Sequence, residues 1–159
     1  MKKIALIIIA IFTIGFAKAQ STASFCEVVT KILALGNKDK LAELKGAPVD
    51  REVRGAEKEY KSTLTLPGFN DCEIRERYHA GCKFAAHILY DNETDMMNTY
   101  KATQKQIQDC LIATKQKFEL NDNGPNYGLW WQCQKVKIRL DHYVSGKIYV
   151  VTIYFDPPF

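Results

Sequence analysis

The stretch CEIRERYHAGCKFAAHILY, residues 72–90, decides how this chain is built. Cys72, Ile74 and Tyr78 share one parity, and Cys82, Phe84, Ala86, Ile88 and Tyr90 repeat the alternation after a break. Apolar residues at every second position leave one face for a core and the other for solvent, which is the pattern of a half-buried strand. The stretch predicts two antiparallel strands reversing near Arg77. Asp91-Asn92-Glu93 then ends the alternation and supplies a helix cap.

Working outward, the period changes on both sides. Met96, Tyr100, Thr103, Ile107, Leu111, Thr114 and Phe118 form one stripe of a long amphipathic helix, predicted to run to about Glu119 and to be stopped by Asn121-Asp122-Asn123-Gly124-Pro125. On the N-terminal side, Tyr60, Leu64 and Leu66 alternate up to the Pro67-Gly68 turn. Earlier still, Ser24-Phe25-Cys26-Glu27 reads as a capping box. It opens a helix with Phe25, Val28, Val29, Ile32 and Leu33 on one side and Gly36 at its end. Residues 37–44 read as a short second helix, broken at Gly46-Ala47-Pro48. In the last third, Val136, Ile138 and Leu140 alternate, Ser145-Gly146 turns the chain, and residues 147–155 make a final strand.

The expected fold is α+β: an antiparallel β-sheet of about five strands with two main amphipathic helices packed on one face. A shift of 64 positions aligns Ile74-Arg75 with Ile138-Arg139, Lys83 with Lys147 and Tyr90 with Tyr154, the trace of a helix–hairpin pseudo-repeat.

Residues 1–19 read as a cleaved bacterial-type signal peptide. Lys2 and Lys3 precede an uncharged apolar run over residues 4–16, and Ala17-Lys18-Ala19 places small residues before Gln20. The run is short for a bilayer span and no second one follows. Residues 20–159 are then one domain of a periplasmic or extracellular protein. The chain carries 22 basic and 18 acidic residues. Losing Lys2, Lys3 and Lys18 lowers the formal charge from +4 to +1. The remaining basic residues are interleaved with acids, which excludes the concentrated basic patch of a nucleic-acid binder.

Export turns Cys26, Cys72, Cys82, Cys110 and Cys133 into a disulfide question. A reversal near Arg77 predicts a Cys72–Cys82 bond, and Cys110–Cys133 is the second pair, leaving Cys26 as a small buried hydrophobe. No cysteine or histidine spacing fits zinc, and no cofactor motif is present.

His79, His87 and His142 stand alone, and no catalytic motif is present, so no catalytic residue is assigned. Carboxylates near strand ends, among them Glu73, Glu76, Asp91, Glu93, Asp141 and Asp156, leave a hydrolase of an envelope polymer as the alternative. A structural envelope component is a further one.

The aromatic run Tyr127-Gly128-Leu129-Trp130-Trp131 is more informative. Extending the even-numbered face of Val136, Ile138 and Leu140 backwards puts Trp130 inward and Trp131 outward, unless a bulge near Gln134 reverses them. Tyr127, Trp130 and Trp131, with Arg75 and Arg77 as charged neighbours, are the expected binding residues. The last strand is apolar on both faces, which suggests a homodimer through it. The expected function is an exported small binding protein that engages another envelope or secreted protein, in the manner of an inhibitor or immunity protein.

Overall fold

The computed structural model describes residues 24–49, 57–77, 81–122 and 128–157. The signal-peptide reading and Tyr127 lie outside these residues. The first helix, α1, spans Phe25–Gly36. Its capping box forms as expected: Ser24 Oγ accepts from Glu27 N at 3.3 Å, and Glu27 Oε2 accepts from Ser24 N at 2.6 Å. A 3-10 turn at Leu41–Leu44 leads into β1 (Lys45–Pro48), β2 (Glu57–Ser62), β3 (Asp71–Arg77) and β4 (Gly81–Tyr90). Helix α2 (Glu93–Ala113) follows, then β5 (Phe118–Asp122), β6 (Leu129–Cys133), β7 (Val136–Ser145) and β8 (Ile148–Asp156). Each helix is thus followed by a four-stranded meander.

The strands form one antiparallel sheet of eight, in the order β1-β2-β3-β4-β8-β7-β6-β5. The two meanders meet at β4 and β8, where Phe84 lies opposite Phe155 with ring centroids 5.7 Å apart. Both helices pack chiefly over the centre of the sheet, on β4, β7 and β8. Val29 and Ile32 of α1, Ile107 and Leu111 of α2, and Ile74, Phe84, Trp131, Ile138, Ile153 and Phe155 of the sheet are fully buried between the layers. No described helix is long and apolar enough to cross a membrane.

The sheet has eight strands where about five were expected; β1, β5 and β6 are the additional ones, and local chemistry explains the last two. The long helix stops at Ala113 because Lys115 takes a left-handed conformation at φ 53°. Gln116 N then bonds Leu111 O at 2.9 Å and Lys115 N bonds Ile112 O at 3.0 Å. This is the Schellman closure that glycine usually provides, here made by lysine. Freed from the helix, Phe118 starts β5. At the other seam, Gln134 at φ 51° makes a tight turn between β6 and β7. Cys133 therefore pairs with Val136, and Trp131 with Ile138. The odd residues of β6 share a face with the even residues of β7, so Trp131 is the inward tryptophan and Trp130 the outward one.

The cysteine pairing is also corrected. Cys26 on α1 and Cys110 on α2 form the disulfide, with Cα atoms 5.2 Å apart. Cys72, Cys82 and Cys133 are free and buried. The β3–β4 ladder continues to Arg77 opposite Gly81, which places Cys72 against Ala86 and Cys82 against Glu76. At about 3.3 Å per residue, that offset keeps the two thiols too far apart to bond. Cys133 faces Phe118 and Val136 across its ladders, and Cys110 is already bonded.

The 64-residue shift holds for only part of the sheet. Ile74-Arg75 and Ile138-Arg139 occupy matching faces of β3 and β7. Lys147, however, lies in the β7–β8 turn. Tyr90 packs against the core, whereas Tyr154 faces away from the helices. Strand β8 is bonded on both sides, so it offers a homodimer no free edge.

Candidate functional site

The helices cover one face of the sheet, and alternation sends the remaining side chains to the other. Opposed pairs in the ladders place Glu59, Glu73, Arg75, Arg77, Lys83, His87, Thr152, Tyr154, Asp156, Arg139, Asp141, Lys137 and Trp130 on that second face. No described element packs over it. It is the candidate site.

Its centre is a chain of polar contacts. Thr152 Oγ1 lies 3.0 Å from His87 Nδ1, and His87 Nε2 lies 2.9 Å from Glu73 Oε1. Glu73 Oε1 also accepts from Arg75, whose Nε is 3.1 Å from Glu59 Oε1. The Glu73 and Glu59 side chains are only 3% and 2% exposed. Burial pushes the Glu73 carboxyl up, but the His87 hydrogen bond and the Arg75 charge together hold it below its ordinary range. A buried carboxylate is tolerated only with such partners.

Beside this chain, cations gather on aromatic rings. Arg139, Lys83 and Arg75 lie 4.5, 5.6 and 6.0 Å from the centre of the Tyr154 ring. Lys137 sits 4.5 Å from the centre of the Trp130 ring. Each contact supplies a modest attraction and restrains a flexible side chain. Burial raises the Tyr154 hydroxyl pKa against the opposing pull of Arg75 and Arg139. Asp141, 2.8 Å from Arg139, is likewise raised by burial despite that partner. Arg77 bonds Asp156 Oδ1 at 2.6 Å.

At one end of the face Asn70, Asp71, Arg75, His87, Leu89, Tyr143 and Val150 line an open depression of about 230 Å³. Leu89 and Tyr143 are 57 and 46% exposed there, and Ile148 of β8, on the same face, is 44% exposed.

The structure brings three of the expected binding residues to this face: Trp130, Arg75 and Arg77. Trp131 is instead in the core with its indole N–H unpaired among the described residues. The residues that sequence reading missed are Tyr154, Lys137 and Arg139. Their signal was the opposite parity of the same alternating strands. Of the carboxylates named as hydrolase candidates, Glu76 bonds Lys45 and Tyr60, while Glu73, Asp141 and Asp156 each hold an arginine. Thr152, His87 and Glu73 have the order of a nucleophile, base and orienting acid, but Thr152 is 0% exposed and no substrate reaches its hydroxyl. No group of three or more metal-ligating side chains occurs among the described residues. Comparison with protein families, curated proteins and solved structures found no match to this chain.

Proposed function

We propose that this chain is an exported binding protein that engages another envelope or secreted protein through the uncovered face of its sheet. One observation carries the reading: the side chains of that face are already fixed to one another before any partner arrives. Arg75 is held by Glu59 and Glu73, Glu73 by His87, His87 by Thr152, and Lys137 by the Trp130 ring. A surface ordered in advance loses little conformational entropy on binding. Tryptophan, tyrosine and arginine are also the residues that dominate interface energetics.

The layering of charge describes the partner. The carboxylates of Glu59 and Glu73 lie beneath, whereas Arg139 is 43% exposed at its side chain. Lys137 stands over Trp130 with no carboxylate partner among the described residues. The complementary surface is acidic opposite Arg139 and Lys137, and apolar opposite Leu89, Tyr143 and Ile148. An inhibitor or immunity protein is the concrete form of this reading. The disulfide fits an oxidising compartment.

The test is capture of partners from envelope and culture fluid with residues 20–159 as bait, beside Trp130→Ala and Arg139→Glu baits. A protein held by the first and released by both variants supports the reading. Equal retention by all three baits overturns it.

A further inference from the structure

We infer that two copies of this chain pair through the edges of their β5 strands, joining the two sheets into one. The inference is independent of what the uncovered face binds. An open sheet has two edges, and here they are unlike. Strand β1 has four residues, a register irregularity and Pro48, features that blunt an edge against further pairing. Strand β5 has five residues, contains neither proline nor glycine, and runs in unbroken register with β6 from Phe118 opposite Cys133 to Asp122 opposite Leu129. Its outer edge has no partner strand among the described residues.

Leu120 marks the occupant. It lies opposite Trp131 and therefore on the helix side of the sheet. The helices sit over the centre of the sheet, so β5 projects beyond them and Leu120 is 45% exposed. Antiparallel pairing of the strand with itself must keep like faces together, so one residue sits on the two-fold axis. A centre at Glu119 sets two carboxylates against each other, which is unfavourable. A centre at Asn121 leaves Phe118 and Glu119 without opposite residues of the strand. Only a centre at Leu120 pairs all five residues: Leu120 meets its own copy and Glu119 meets Asn121. The axis is perpendicular to the sheet, so both helix layers fall on one side and both uncovered faces on the other. One short strand pair buries less than a stable standard interface requires, so the dimer is weak and concentration-dependent.

The test is sedimentation velocity of residues 20–159 from low micromolar to near-millimolar concentration, with circular dichroism to check that each variant is folded. The weight-average mass should rise from one copy toward two. Leu120→Glu and Leu120→Lys should each stay monomeric, because like charges then meet on the axis. An equimolar mixture of the two should recover the dimer as a heterodimer. Ala47→Lys, on the other edge, should dimerise like the unaltered chain. An unaltered chain that stays monomeric throughout overturns the inference. So does dimerisation of either Leu120 variant alone, or a mixture that stays monomeric.

Discussion

Lys137 holds its ammonium 4.5 Å from the centre of the Trp130 ring, on the face of the sheet that no described helix covers. Trp131, one residue on, is fully buried. The two tryptophans should therefore respond oppositely to truncation. Trp130→Ala should cost about 1 kcal/mol of stability, the scale of a lost exposed cation–π contact, and should abolish partner capture. Trp131→Ala should cost about 3–5 kcal/mol, as expected for emptying an aromatic site in a core. Urea unfolding of both variants measures the first contrast, and equal losses would place both rings in the same environment.

Cys26 and Cys110 close a loop with a sequence separation of 84. Chain-entropy reasoning gives such a cross-link a stabilisation of about 4–5 kcal/mol. The Cys26→Ser/Cys110→Ser double variant should unfold at markedly lower temperature than the oxidised protein. Non-reducing peptide mapping should recover Cys26 joined to Cys110. In the native state, thiol reagents should leave Cys72, Cys82 and Cys133 unmodified. Burial pushes the Cys133 thiol up to about 11, which removes the reactive thiolate near neutral pH.

Glu73 and Asp141 should show opposite pH signatures. The folded Glu73 carboxyl titrates below its unfolded value near 4.5, so the folded state binds fewer protons. Its stabilisation is complete above that value and is lost as pH falls through the lower, folded value. Glu73→Gln should cost about 3 kcal/mol near neutral pH, the scale of breaking a buried ion pair, and progressively less in acid. The folded Asp141 carboxyl titrates above its unfolded value near 3.8, so its ionisation opposes folding at neutral pH. Asp141→Asn should raise stability there by about 1 kcal/mol or less. Melting temperatures at about pH 7 and about pH 4 separate the two.

Gly128 enters the tryptophan strand at φ 67°, and a Cβ there would lie 2.4 Å from Asp141 Oδ1 and 2.6 Å from Leu140 O. Gly128→Ala should cost about 1–3 kcal/mol from backbone strain alone, with the clash added. Denaturant midpoints read the loss. A neutral effect would mean that β6 begins differently.

Much of the fold was readable because alternation and capping are local. Ser24 and Glu27 announced α1, and Cys82 through Tyr90 announced β4. What stayed hidden depended on single residues in conformations their type rarely adopts. Lys115 ends α2 where no glycine marks the stop, and Gln134 turns the chain where a continuous strand was expected. Each shifted the reading downstream: one concealed β5, the other exchanged the two tryptophans. The disulfide was unreadable for a different reason. It depends on which faces of α1 and α2 meet, and helix–helix contact leaves no period in either segment. The site was half legible. Arg75, Arg77 and Trp130 drew notice as charge and aromatic runs, whereas Tyr154 lay in a strand whose second apolar face suggested an interface between copies.

If the chain is exported as proposed, the bond between Cys26 and Cys110 also sets an order of events as it crosses the membrane N-terminus first. Cys26 emerges before Cys72 and Cys82, and its native partner follows both. An oxidase acting on cysteines as they appear would join Cys26 to Cys72, locking α1 to a thiol that belongs on β3. On that proposed route maturation turns on exchange rather than oxidation, so the yield of native protein should follow the supply of disulfide isomerase.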